Sequence, residues 1–324
     1  VNRAFYGLPP LTNSEGLHTN AILGFLNIFL KAYDTFRPDY VIVAFDVKAK
    51  TFRHELFDGY KGTRKPMPDE LHEQVPVLQD VLHSMGVKTA VLPGFEADDI
   101  IGTYARNAGE DGLGVVILSG DRDLLQLAAE DTLVAIPKTK AGGTETENYY
   151  AADVREKYGV TPSEFIDMKA LMGDQSDNIP GIPGIGEKTA GKIIAQFHSL
   201  ENAYEHADEI KPARMGEKLK ENIELGRLSR VLAEINTKAP VEMDYKEAAV
   251  KDEASFFNDD SYIFFKKLEF NRLLERFNAA GAAAKAEIEY TTEKNSAFPE
   301  NCQSPVGRFI DPSGKLTALD DGEN

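Results

Sequence analysis

The chain has 324 residues, 42% hydrophobic and 9% aromatic, enough for two ordinary globular domains. Its formal net charge of −17 argues against binding polyanions through bulk charge, and its single cysteine, Cys302, excludes an internal disulfide and a cysteine-based zinc site. No apolar run reaches membrane-spanning length, and no basic segment leads into an apolar core as in a signal peptide, so the cytoplasm is the default compartment.

Residues 18–36 place Ile22, Phe25, Leu26, Phe29, Leu30, Tyr33 and Phe36 at helical spacing, which predicts a helix ended by Arg37-Pro38. Residues 40–45 are a near-continuous apolar run of strand length, as in a strand covered on both faces, and the run ends at Asp46. Between Lys48 and Lys65 there are six Lys or Arg against two acids, interleaved with Phe52, Phe57 and Tyr60. This stretch reads either as a solvated loop or as a phosphate-contacting segment with an aromatic able to stack on a base. Residues 69–85 predict a second amphipathic helix closed by Gly86, and residues 88–92 a short strand.

The chemistry concentrates between Gly94 and Leu124. Glu96, Asp98, Asp99, Asp121 and Asp123 fall at two points where an apolar strand gives way to a helix. Helix capping accounts for one or two such acids. Five carboxylates at the carboxyl edge of one sheet repel one another unless cations neutralise them, and hard oxygen ligands in that number suit Mg²⁺ or Mn²⁺. The pattern points to metal-dependent phosphoryl transfer. A helix over 97–105, a strand over 115–118, a helix over 123–129 and a strand over 132–136 complete an α/β domain spanning 1–150, with a mostly parallel sheet flanked by helices.

Beyond residue 150 the pattern turns helical, over 152–158, 162–172, 187–197 and 215–235, giving a second region from 151 to 278. Asp174 and Asp177 belong either to a common Asp-rich turn or to a pair of acids projecting to one side. Gly184-Ile185-Gly186 then leads directly into Glu187-Lys188-Thr189-Ala190. Small residues let a phosphate approach the backbone, and a helix N-terminus offers it free N–H groups. The segment is similar to a helix-hairpin-helix turn, which grips the sugar-phosphate backbone without reading sequence. The P-loop pattern is absent. The aromatics of 256–277 read as core, and 279–324 as a polar, acidic linker or tail.

Seven motifs in this order carry a family resemblance: Val43-Ala-Phe-Asp46, Phe52-Arg-His-Glu55, Tyr60-Lys-Gly62 with Arg64, Gly94-Phe-Glu-Ala-Asp-Asp99, Ser119-Gly-Asp-Arg-Asp-Leu124, Gly173-Asp-Gln-Ser-Asp-Asn178 and Gly181-Ile-Pro-Gly-Ile-Gly-Glu-Lys-Thr189. From residue 1 to about 277 the chain resembles the 5′-nuclease family, which includes the flap endonucleases, and within it the N-terminal 5′→3′ exonuclease domain of bacterial DNA polymerase I. The resemblance implies a PIN-like α/β core followed by a helical DNA-binding region. It implies a structure-specific 5′→3′ exonuclease and flap endonuclease, acting in primer removal and repair. Two or more Mg²⁺ or Mn²⁺ ions would be held by Asp46, Glu96, Asp98, Asp99, Asp121, Asp123, Asp174 and Asp177, some through water. Lys61 and Arg64 would be catalytic contacts to the scissile phosphate, with Tyr60 as the stacking neighbour. Arg3, Tyr60, Lys61, Arg64, Gly184, Ile185, Gly186, Lys188 and Thr189 would contact DNA, and a K⁺ ion would sit at the glycine turn.

The implied partners are 5′ flaps, nicked or gapped duplexes and RNA-primed ends, met by a monomer in the bacterial cytoplasm near the nucleoid, linked covalently to polymerase domains and away from membranes. Two other readings stay open: a non-catalytic DNA-binding fragment and a PIN-type ribonuclease. In the family an apolar strand ending in Asp-Gly stands before the position of residues 2–6. None precedes Val1 here, so the expectation is a chain that binds DNA and cleaves poorly.

Overall fold

The computed structural model describes residues 1–140 and 143–279, and beyond them 308–310 and 316–319. After α1 (Asn2–Gly7), the helix expected over 18–36 is α2 (Asn20–Phe36), closed by Arg37 in the left-handed conformation. The next strand is β1 (Ile42–Ala44), shorter than its apolar run and half-buried throughout. The basic stretch is not an open loop throughout, because it contains α3 (Phe52–Leu56). The single helix expected over 69–85 is two, α4 (Asp69–His72) and α5 (Gln74–Ser84). Pro76 lacks the N–H that would bond the His72 carbonyl, and the Glu73 carboxylate at the break accepts from the His18 backbone N–H at 3.1 Å.

The sheet elements follow as β2 (Lys88–Ala90), α6 (Ala97–Glu110), β3 (Val115–Leu118), β4 (Thr132–Lys140) and β5 (Gly143–Tyr149). β1 pairs with β2 in parallel, Ile42 opposite Lys88, and β3 with β4 in parallel, Val115 opposite Thr132. β5 adds an antiparallel edge, Val134 opposite Tyr149. Its polar sequence carries no apolar alternation, so it is invisible to pattern reading. β1–β2 and β3–β4–β5 are separate sheets, and α6 packs against both β1 and β3. Residues 123–127, expected as helix, form a tighter 3₁₀ turn.

The helical region contains α7 (Ala151–Tyr158), α8 (Pro162–Met172), α9 (Glu187–Phe197), α10 (Leu200–Glu205), α11 (Ala213–Glu221), α12 (Ile223–Ala233), α13 (Asp259–Lys267) and α14 (Asn271–Ala279). The helix expected over 215–235 breaks at Asn222, whose side-chain amide donates to the Lys218 carbonyl at 2.8 Å. α9 buries Ala190, Ile193, Ile194 and Phe197, the one-sided spacing its sequence shows. One apolar core joins β3, β4 and the helices α7 to α11. A second joins α2 and α5 to Phe256, Phe257, Phe265, Phe270 and Phe277, so the late aromatics are core as expected. The tail expected over 279–324 lies mostly outside the described residues. In the separate unit Lys285–Asn324, β6 (Arg308–Ile310) and β7 (Leu316–Leu319) pair antiparallel.

Two features fix the segments around the acids. The loop after α8 is closed by reciprocal backbone bonds between Asp174 and Ile179, at 2.9 and 2.8 Å. Gly173 and Gly181 both take positive φ there, and a Cβ on Gly181 would stand 2.4 Å from the Gly173 nitrogen, so only glycine fits.

The second feature is a buried ion pair. Arg53 of α3 and Asp99 of α6, 3% and 0% exposed, meet in two parallel bonds of 2.8 Å. Arg53 also donates to the carbonyls of Leu232 and Glu234, and Asp99 accepts from the backbone N–H groups of Glu96 and Asn236. One pair thus joins α3, the start of α6 and the end of α12. Removing one partner of a buried pair strands the other charge. Arg53→Met is expected to cost about 3–5 kcal/mol by urea unfolding, with Arg53→Met/Asp99→Asn costing less than the sum of the two single changes. A stability within about 1 kcal/mol of wild type for Arg53→Met would contradict this assignment.

Candidate active site

The acids collect where the elements above end. Asp46 follows β1 and accepts from the backbone N–H of Ala97 at 2.9 Å, which ties the β1 end to the start of α6. Glu96 is the N-cap residue of α6, and Asp98 lies in its first turn, where the helix dipole favours negative charge. Asp121 follows β3, and its carboxylate accepts from the Asp123 N–H at 2.9 Å. Asp98 feels all three partners: burial first, then the charges of Asp121, Asp46 and Glu96, hold its carboxyl well above the ordinary aspartate range, with Lys61 pulling the other way.

Internal cations hold most of the remaining acids, and they do so in a repeated pattern. Lys61 donates to Glu96 at 2.6 Å and lies 3.7 Å from Asp177. Lys169 of α8 donates to Asp123 at 2.7 Å and also bonds Asp174. Each lysine therefore bridges one acid of the α/β part to one acid of the closed loop 173–181. Arg64 adds bonds to the Asp177 carboxylate and the Ser176 carbonyl, and the Tyr60 hydroxyl lies between Glu96 at 3.1 Å and Asp177 at 3.2 Å. The Lys61 backbone sits at φ 53°, a left-handed conformation rare outside glycine.

Several expectations change on this geometry. Asp99 is not placed to ligate a metal, because Arg53 and two backbone N–H groups occupy both of its oxygens in a fully buried setting. Tyr60 does not offer a stacking face to a base: it is 3% exposed and packs with Ile179, Leu232 and Ala233. Ile185 of the glycine turn is buried in the main core, while Gly184, Gly186 and Lys188 are exposed and Thr189 is half-buried. Arg3 is spent on the carbonyls of Pro137 and Gly120 and so braces α1 against the segment that carries Asp121.

Two residues central to the site escaped the sequence reading. Arg53 stands in the sequence as one basic residue of a run and as part of the Phe52-Arg-His-Glu55 motif, with no role of its own. Lys169 is a buried charge in the otherwise apolar end of α8, five residues before Asp174, and that misplaced charge was its one visible signal. Among the described residues, no three carboxylates or imidazoles already surround one point as a closed metal cage. The donor chemistry still fits a hard divalent cation: Asp46, Glu96, Asp98 and Asp121 could all offer carboxylate oxygens, and their repulsion around Asp98 is what such an ion would relieve.

The Lys169 bridge has a pH signature. Burial pushes Asp123 up to about 6, against the pull of Lys169. Burial opposes ionisation of Asp174 too, but hydrogen bonds from Lys169 and Ser176 bring it down to about 2. As pH falls from about 6 toward the ordinary 3.8, the folded chain takes up a proton at Asp123 that the unfolded chain does not, so acid relieves this carboxylate. Asp174 acts in the opposite sense: its stabilising effect is present above 3.8 and lost as pH falls toward about 2. Lys169→Met is expected to cost about 3–5 kcal/mol near pH 7 in chelator and clearly less near pH 5, as read by urea unfolding. An equal cost at both pH values would remove this role from Lys169.

Comparison with known proteins agrees with the fold and the motifs. Two family models match consecutively: "5'-3' exonuclease, N-terminal resolvase-like domain" over residues 1–159, and "5'-3' exonuclease, C-terminal SAM fold" over residues 160–255. DNA polymerase I of Bacillus subtilis (strain 168) is 46% identical over 286 residues, covering 88% of this chain and 32% of that protein. The chain therefore spans about a third of the length of the curated relatives it matches. Among solved structures, the bacteriophage T5 5′-exonuclease with bound zinc superposes with a TM-score of 0.57 at 22% identity, covering 77% of this chain and 90% of that one. A T5 flap endonuclease complex with DNA and metal ions gives a TM-score of 0.57 at 21% identity, covering 76% and 91%. The two consecutive domain matches, taken with the ordered motifs and the acid-lined strand ends, place this chain in the 5′-3′ exonuclease family.

Proposed function

We propose that this chain hydrolyses phosphodiesters at the 5′ ends of DNA flaps and nicks with the help of divalent metal ions, as the 5′-nuclease part of a DNA polymerase I. The observation that carries the reading is the electrostatic coupling of Asp98 to Asp46, Glu96 and Asp121 at the ends of β1 and β3 and the start of α6. These four carboxylates would hold the ions, with Asp123, Asp174 and Asp177 acting through water. When bound, divalent ions supply a hydroxide nucleophile at neutral pH and neutralise charge on the attacking and leaving oxygens.

The protein's own groups account for the rest. Lys61 and Arg64 sit beside the acids, paired to Glu96 and Asp177, and a phosphate arriving there competes with those carboxylates for the same N–H donors. The exposed Gly184, Gly186 and Lys188 at the start of α9 present backbone N–H groups and an ammonium to the sugar-phosphate chain of a duplex. That footprint reads no base sequence, which suits an enzyme that selects DNA by shape. The T5 complex with DNA and metal ions supports DNA and divalent ions as partners, and the Bacillus subtilis relative supports a place within a longer polymerase chain.

Asp98→Asn and Glu96→Gln are expected to lower Mg²⁺-dependent cleavage of a 5′-flap substrate at least about a hundredfold while leaving flap affinity in chelator within a few fold. Single-stranded RNA serves as the competing substrate, since a ribonuclease of similar core would prefer it. Unchanged cleavage in both variants would exclude this assignment of the acids.

A further inference from the structure

The K⁺ ion that the family resemblance implies at the glycine turn meets a competing cation of this chain's own there. The Lys218 ammonium of α11 donates to the Pro183 carbonyl at 2.7 Å. It also stands 2.2 Å from where a Cβ on Gly184 would be, so a side chain there would displace the ammonium from this position. Its approach is built in. A Cβ at Gly216 would fall 1.8 Å from the Ala207 carbonyl oxygen, so α11 packs closely on the 207–209 turn only because that residue is glycine. Leu219, next to Lys218, is fully buried, and the Asn222 amide holds the Lys218 carbonyl. An ammonium group carries the same charge as K⁺ and satisfies carbonyl oxygens in the same way. A K⁺ ion on the same carbonyl would meet a like charge at contact distance, so the two cations compete for one position.

We propose that Lys218 is a tethered cation that takes the place of a bound monovalent ion at this turn, and that it presents its charge to a DNA phosphate alongside the N-terminus of α9. The inference rests on the duplex-binding reading of the turn given above. It makes duplex binding independent of which monovalent salt is present, where an ion-filled turn requires an ion of fitting size.

The test compares binding of the full 324-residue chain to a nicked duplex, by fluorescence anisotropy in chelator, in KCl and in tetramethylammonium chloride at equal ionic strength. Wild type is expected to bind equally in both salts. Lys218→Met is expected to lose about tenfold in tetramethylammonium and to recover in KCl. Lys220→Met is the control: it removes a charge from the same helix, where Lys220 pairs with Asp208 away from the turn, and its affinity is expected to be the same in both salts. The proposal is overturned if wild type itself requires K⁺, or if Lys218→Met shows no dependence on the salt.

Anomalous diffraction from crystals soaked in Tl⁺ gives a readout without DNA. Thallium at the Pro183 carbonyl in Lys218→Met and not in wild type supports the proposal, while thallium there in wild type, or in neither protein, overturns it. Absence of DNA binding in every salt would count against the nuclease reading, and the thallium result would still decide the role of Lys218.

Discussion

The Arg53–Asp99 pair is the constraint on which the site depends. It is fully buried, bidentate and supplied with further hydrogen bonds on both sides, the conditions under which a buried ion pair holds. Its effect is geometric. Asp99 accepts from the Glu96 N–H and so fixes the first turn of α6, from which Glu96 and Asp98 project. Arg53 binds the carbonyls that end α12, so the helical region is docked to the α/β part next to the acids. A carboxylate that looks like one more ligand in the sequence is the peg that sets the others in place.

Around that peg the chain handles its own negative charge. An excess of 17 acids leaves few cations to spare, and the site uses Lys61, Lys169 and Arg64 as bridges rather than as isolated positive points. Each lysine links an acid of the α/β part to an acid of the loop 173–181. Of the acids left without such a bridge, Asp46 and Asp121 both act on the carboxyl of Asp98. The charge map thus leaves Asp46, Asp98 and Asp121 open to an incoming cation, while Glu96 is shared between that role and Lys61.

Much of this was legible in the sequence, and the remainder was not for identifiable reasons. The one-sided apolar spacing of α2 and α9, the strand-to-helix placement of Glu96, Asp98 and Asp121, and the glycine turn before α9 all survive, because each rests on local periodicity or a local turn. The polar edge strand β5 was missed, since its stability comes from pairing with β4 and not from any pattern of its own. Asp99 and Tyr60 were given exposed roles because residue type says nothing of burial. Each is spoken for by a partner distant in sequence: Arg53 lies 46 residues from Asp99, and Asp177 lies 117 residues from Tyr60. Lys169 was overlooked for the same reason.

The closed loop after α8 has a consequence for how such a chain can vary. Its ends are held at van der Waals limits by Gly173 and Gly181, and its middle by the Asp174–Ile179 bridge. Ordinary surface loops absorb insertions at small entropic cost. Here an added or deleted residue would shift Asp174 and Asp177 out of register with Lys169 and Lys61 together. The loop is therefore fixed in length, and free in sequence only where a side chain makes no bond. Exposed Gln175, whose side chain makes none of the bonds described above, can be replaced without breaking any of them, while the count of residues between the two glycines sets a dimension of the site.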